Sequence, residues 1–174
     1  MRRTRLLLGA GIVVINFAAA TALVATAVSA TPASNSEPSR QGELFASGLV
    51  GRPTDPTLNV TIRGVAHGAV PWVLARGSTR LDADGRLSVS VSGLVITGTH
   101  TDLDGTTGPV TSVVASIACD GSTPTLENTA PVPLSAQGDV SINQEVTLPA
   151  ICEAPIVLVL ANGSSGPWIA ASGF

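Results

Sequence analysis

His100-Thr101-Asp102-Leu103-Asp104-Gly105 sets one nitrogen and two carboxylates at alternate positions ahead of a glycine. A hard cation such as calcium takes about six to eight oxygens, often from a loop of alternating acids around a glycine turn. This run stops after two carboxylates and no glutamate closes the shell, so it reads as a solvated Asp-Gly turn. If any ion is held, calcium or another divalent, then His100, Asp102 and Asp104 are its ligands; the expectation is no cofactor. Asp82-Ala83-Asp84-Gly85 repeats the pattern inside a predicted hairpin and reads as a turn in the same way.

Nucleophilic catalysis needs a base within hydrogen-bond reach of the nucleophile and a third group to orient that base. Two histidines exist, His67 and His100, and no G-x-S-x-G elbow does. Asn162-Gly163-Ser164-Ser165-Gly166 has serines in the composition of a loop. A hydrolase would therefore centre on His100 with Asp102, and nothing in the spacing favours it. The expectation is a domain without catalytic residues, with a metal-dependent or hydrolytic enzyme at His100, Asp102 and Asp104 as the rival.

Cys119 and Cys152 are the only cysteines. A two-cysteine metal site would need nearby histidines to complete a tetrahedral shell, and none lies near. In an exported chain the pair reads as one disulfide, worth roughly 3–4 kcal/mol for a loop of this length.

Export is what the first thirty residues indicate. Arg2, Arg3 and Arg5 precede an apolar run from Leu6 to Val28, and Val28-Ser29-Ala30 places small residues at −3 and −1 of a cleavage site. The run is long enough to span a bilayer. Its many alanines and Asn16 weaken it as an anchor, so a removable signal peptide over 1–30 is expected over a membrane-tethered sensor domain. Both outcomes put residue 31 onward outside. Arg5 stands where a twin-arginine signal prefers an apolar residue, which favours the general route.

After residue 30, six scattered arginines face twelve acids, leaving this part at −6, and the chain has no lysine or tyrosine. Nucleic-acid binding needs a basic patch and stacking aromatics, so it is excluded. The expected partner is an extracellular protein or a cell-envelope component. A membrane is expected as a partner only through an uncleaved signal segment.

Residues 31–45 are polar, proline-containing and aperiodic, the composition of a flexible spacer. Residues 46–174 are rich in valine, threonine, serine and glycine and read as strands. Leu58–Ile62 and Pro71–Ala75 are short strands, and Leu81–Leu87 is a hairpin turning on Asp84-Gly85. Leu87, Val89 and Val91 alternate with Ser88, Ser90 and Ser92, the pattern of a half-buried antiparallel strand. Val110–Cys119 and the apolar Pro155–Leu160 are central strands. Val132–Leu134, Val140–Leu148 and Trp168–Ala171 complete the set. Strands at this spacing predict an all-β domain, an antiparallel Greek-key β-sandwich of about seven to eight strands with one disulfide. Pro71–Gly77 echoes Pro167–Gly173, through duplication or through biased composition. As edge strands, the two segments would expose Trp72 and Trp168, which makes them the candidate binding surface.

The chain resembles exported β-domain proteins of high-GC bacteria, a group with no assigned activity. The likeness lies in Gly108-Pro109-Val110-Thr111-Ser112-Val113, the cysteine pair and the ending Trp168-Ile169-Ala170-Ala171-Ser172-Gly173-Phe174. It is also similar, more weakly, to the chordin-type CHRD domain, in a strand ending Ser92-Gly93-Leu94 and a late glycine-flanked strand at 168–173. That family's His-Ile-His is absent from the matching Val113-Val114-Ala115-Ser116-Ile117, so no site residue carries over.

Overall fold

The computed structural model describes residues 42–58, 60–120 and 125–172. The signal expected over 1–30 and most of the spacer expected over 31–45 lie outside them. The first four strands are β1 (Glu43–Gly51), β2 (Trp72–Val73), β3 (Arg76–Asp82) and β4 (Arg86–Ser92). Next come β5 (Val95–Ile96), β6 (Ser112–Asp120), β7 (Thr125–Asn128) and β8 (Val132–Pro133). The last three are β9 (Val140–Glu145), β10 (Glu153–Ala161) and β11 (Trp168–Ser172).

Eight strands pair in the order β7-β6-β10-β11-β1-β3-β4-β9, with β8 also on β6, while β2 and β5 form a small separate sheet. Every strand pairing is antiparallel. The neighbours β4·β9 and β6·β10 are distant in sequence, the crossings that mark Greek-key wiring. The expected two sheets are one curled sheet, spliced by β1. Its residues from Glu43 to Gly48 pair with β3, and Leu49 to Gly51 pair with β11. The inner faces of the two halves pack on each other: Leu87, Val89 and Ile142 from one side meet Ile117, Val157 and Ile169 from the other in one core.

Sequence pattern explains the difference between the halves. In β4, Leu87, Val89 and Val91 are buried and Ser90 and Ser92 face water. In β10, residues 157–161 are all buried, because Val157 and Val159 face the main core while Leu158 and Leu160 face a second cluster with Ile62 and Trp168. That second cluster is covered by residues 60–68, which lie as a strap over the outer face.

The strap replaces the strand expected at Leu58–Ile62. Pro56–Leu58 is a 3-10 turn, capped by the Asp55 carboxylate on the Thr57 N–H (2.8 Å) and hydroxyl (2.7 Å). Ile62 and Val65 then exchange both backbone hydrogen bonds around Arg63 and Gly64, at φ 49° and 84°. Positive φ at both central residues defines a type I′ turn. Arg63 also pairs with Asp120 at the end of β6, which ties the turn to the sheet below.

β1 begins at Glu43, inside the stretch read as spacer, and was not expected as a strand. The 81–87 hairpin forms, but only Gly85 takes a positive φ (86°). A side chain there would meet the Val146 carbonyl, whose own N–H bonds back to Gly85. Cys119 and Cys152 are bonded, with Cα atoms 4.8 Å apart, linking the end of β6 to the residue before β10.

Candidate functional site

The metal candidates are not assembled. Asp104 turns its carboxylate onto its own loop, accepting from the Thr99 N–H (3.0 Å), the Thr99 hydroxyl (2.6 Å) and the His100 N–H (3.0 Å). His100 is held at φ 57°, and it and Asp102 are exposed. Among the described residues, no three His, Cys, Asp or Glu side chains come together as a metal cluster. At 99–104 the loop is closed by the Asp104 carboxylate reaching back to Thr99 and His100, so that backbone N–H groups occupy one of the two carboxylates of the alternating pair.

These hydrogen bonds, the Thr99 hydroxyl first, hold the Asp104 carboxyl below its ordinary value. A lowered folded value means the loop contacts contribute fully above the ordinary Asp pKa of about 3.9 and are lost as pH falls through the folded value. The Thr99 and His100 amide resonances are expected to titrate together with a midpoint below about 3.9. A midpoint at or above it, or no joint titration, would remove Asp104 as the loop's organiser.

The hydrolytic candidates are likewise apart. The His67 ring bonds through Nδ1 to the Gly68 carbonyl at 2.7 Å. Among the described residues, no histidine ring hydrogen-bonds a serine or a carboxylate. Asn162-Gly163-Ser164-Ser165-Gly166 is the β10–β11 turn, as its composition suggests.

Both tryptophans are buried rather than displayed: Trp72 is 3% exposed and Trp168 is 1% exposed. The reason lies in strand placement. β11 sits between β10 and β1, so Trp168 is interior, and its indole N–H donates to the Val60 carbonyl at 3.2 Å. β2 pairs only with β5, but Trp72 turns into the main core beside Ile96. The two echoing segments are therefore not equivalent edges, and neither ring offers a flat surface.

Trp72 does, however, line a cleft. A depression of about 400 Å³ lies at one end of the sandwich, floored by Trp72, Ile96, Val110 and Ile169, with Gly68 and Asn162 at its side. The volume falls in the range of small-molecule sites, about 300–1,000 Å³. Gly68 matters because a Cβ there would stand 3.3 Å from Ile169 and 3.7 Å from the Trp72 Nε1. The indole N–H thus faces the cleft beside Gly68, and among the described residues it has no acceptor.

Asn162 fixes the wall opposite. At φ 55°, it accepts the Thr111 N–H at 3.1 Å, donates its amide to the Pro109 carbonyl at 3.3 Å and donates its backbone N–H to Ser112 at 2.9 Å. One side chain thereby joins the β10–β11 turn to the 109–112 segment. Asn162-Gly163 is a turn signal in sequence, which identifies the bend but not what the side chain clamps. No residue lining the cleft titrates near neutral pH, so its chemistry is shape, apolar contact and the neutral polar groups of Trp72, Asn162 and Ser165. Compared with known proteins, the chain matches no family model, no curated protein and no solved structure.

Proposed function

We propose that this chain is exported and acts outside the cytoplasm as a non-catalytic binding domain that takes its ligand in the Trp72 cleft. The observation that carries the reading is the indole N–H of a nearly buried tryptophan left without an acceptor. A ligand carbonyl or hydroxyl placed against that N–H gains a hydrogen bond worth about 0.5–1.5 kcal/mol net. The surrounding Ile96, Val110 and Ile169 call for an apolar body on that ligand. An extracellular protein or cell-envelope component presenting an apolar group with one acceptor has this chemistry.

The disulfide supports an oxidising compartment, and the arginine-led apolar run at 6–28 supports export. The likeness to exported β-domain proteins of high-GC bacteria agrees with both.

The test is a titration of the ¹⁵N-labelled chain, recovered from an exporting host, with cyclohexanecarboxamide. The recovered species is expected to begin at Thr31; retention of residues 1–30 would refute release and favour the tethered form. Of the two indole N–H signals, that of Trp72 is expected to shift while that of Trp168, already bonded to Val60, stays. Two unmoved signals up to the solubility limit, or two that move together, would overturn the cleft as the binding site.

A further inference from the structure

Arg52 extends β1 by one residue, and its backbone is locked on both sides. Its N–H donates to the Ile169 carbonyl and its carbonyl accepts the Trp72 N–H, both at 2.9 Å. The residue is 5% exposed, and among the described residues its buried Nε has no hydrogen-bond partner. Among the described arginines, Arg63 holds the carboxylate of Asp120, Arg80 those of Glu43 and Asp82, and Arg86 that of Glu145, while Arg76 holds none but is exposed to water. Arg52 holds none. Asp55, three residues on, has its carboxylate engaged with Thr57.

A guanidinium does not deprotonate in proteins, so a desolvated one is relieved by an anion rather than by neutralisation. Burial already pulls this guanidinium below its ordinary value.

The side chain lines a cavity of about 350 Å³, separate from the Trp72 indole cleft, between the end of β1 and the Trp72–Leu74 segment. Apart from Thr54 its remaining walls are apolar side chains, and at its mouth Val50 is 55% exposed and Val73 is 46% exposed. Gly51 permits the walls to meet, since a Cβ there would stand 2.2 Å from the Trp72 carbonyl oxygen. An uncompensated cation at the wall of an apolar cavity matches one chemistry. We propose that this cavity binds a carboxylate carried on an apolar body, the oxyanion on the Arg52 guanidinium and the body against Val50 and Val73. The proposal goes beyond the Trp72 cleft and stands without it.

Octanoate, octanol and the dipeptide N-acetyl-Val-Leu, as acid and as C-terminal amide, are the probes for calorimetry on the purified chain. Octanoate is expected to bind and octanol not to, with octanoate affinity at least tenfold lower in Arg52→Met and partly retained in Arg52→Lys. A preference for the peptide acid over octanoate would identify the source as a C-terminal carboxylate, and the reverse a free acid. Gly68→Ala, which sets a methyl into the Trp72 cleft and lies outside this cavity, is expected to leave octanoate binding unchanged, so this site and the cleft fail separately. Should Arg52→Met not fold, the Arg52 Nε–H resonance of the unmodified chain gives the answer, shifting with octanoate and not with octanol. Absence of binding by both acids, equal affinity in Arg52→Met, or an unmoved Nε–H signal would overturn the proposal.

Discussion

Trp168→Ala is expected to destabilise the domain by about 3–5 kcal/mol, the range for deleting a large aromatic from a core. Two side-chain losses coincide at this position, beside a backbone that alanine keeps. The ring is buried in the outer cluster with Ile62, Leu158 and Leu160, so truncation leaves a cavity that flanking strands cannot close. The Val60 carbonyl loses the indole donor that reaches it at 3.2 Å. The strap also depends on this residue's backbone, with the Trp168 N–H on Ala66 and the Trp168 carbonyl accepting from Gly68. In urea the unfolding midpoint should fall with little change in slope. Trp168→Phe keeps most of the packing and removes only the N–H, so a smaller loss near 1 kcal/mol is expected. A loss under about 1 kcal/mol in Trp168→Ala would mean that the strap does not pack as described.

Replacing Cys119 and Cys152 together by alanine is expected to cost about 3.5 kcal/mol, from the loop closed across a sequence separation of 33. The location suggests that the full value is realised. The β6–β10 register breaks between Glu153 and Ile156, and Ala154 sits at φ 40°, so the start of β10 has a weak ladder of its own. The covalent link at Cys152 holds that start against the buried end of β6. Reductant should lower the denaturation midpoint of the unmodified chain and leave the double variant unaffected. Thiol labelling of the denatured, unreduced chain should find no free cysteine. Two free thiols would refute the bond, and an unchanged midpoint would refute its contribution. Folded domains are stable by only about 5–15 kcal/mol, so combining this loss with that of Trp168→Ala removes from about half to all of the margin.

Much of the fold is legible where one residue pattern has one physical solution. The strict alternation of β4 can only be a strand with one wet face. The run Val157–Leu160 is too apolar to have any wet face, and an even cysteine pair in such a chain reads as a bond. Legibility fails where local pattern has two solutions. The alternation at Leu58–Ile62 suits a strand or a strap, and only the apolar outer face of β6, β10 and β11 selects the strap. β1 hides because Ser47, Gly48 and Gly51 dilute its apolar positions and its start lies in polar surroundings. Asp102 and Asp104 show the same ambiguity, since alternate acids before a glycine serve a cation loop and a self-capped turn equally well.

The candidate sites were less legible still. Trp72 and Trp168 were visible as the residues most worth placing, yet their burial depends on strand order, which places Val60 against a ring 108 positions later. Arg52 gave no sequence signal at all. A single arginine between glycine and proline is ordinary on a surface, and it becomes informative only when its side chain is found buried without a counter-charge.

The splice through β1 has a temporal meaning. Leu49 to Gly51 find their partners only in Ala170 to Ser172, so the curled sheet cannot close until nearly the whole domain has been made. Before then β1 can hold only β3, a hairpin lacking the opposite half of its core. Contacts of such long sequence separation make folding slow. A nascent chain wired this way holds half a core open to water until its last strand arrives, so that strand acts as the clasp of the whole sheet.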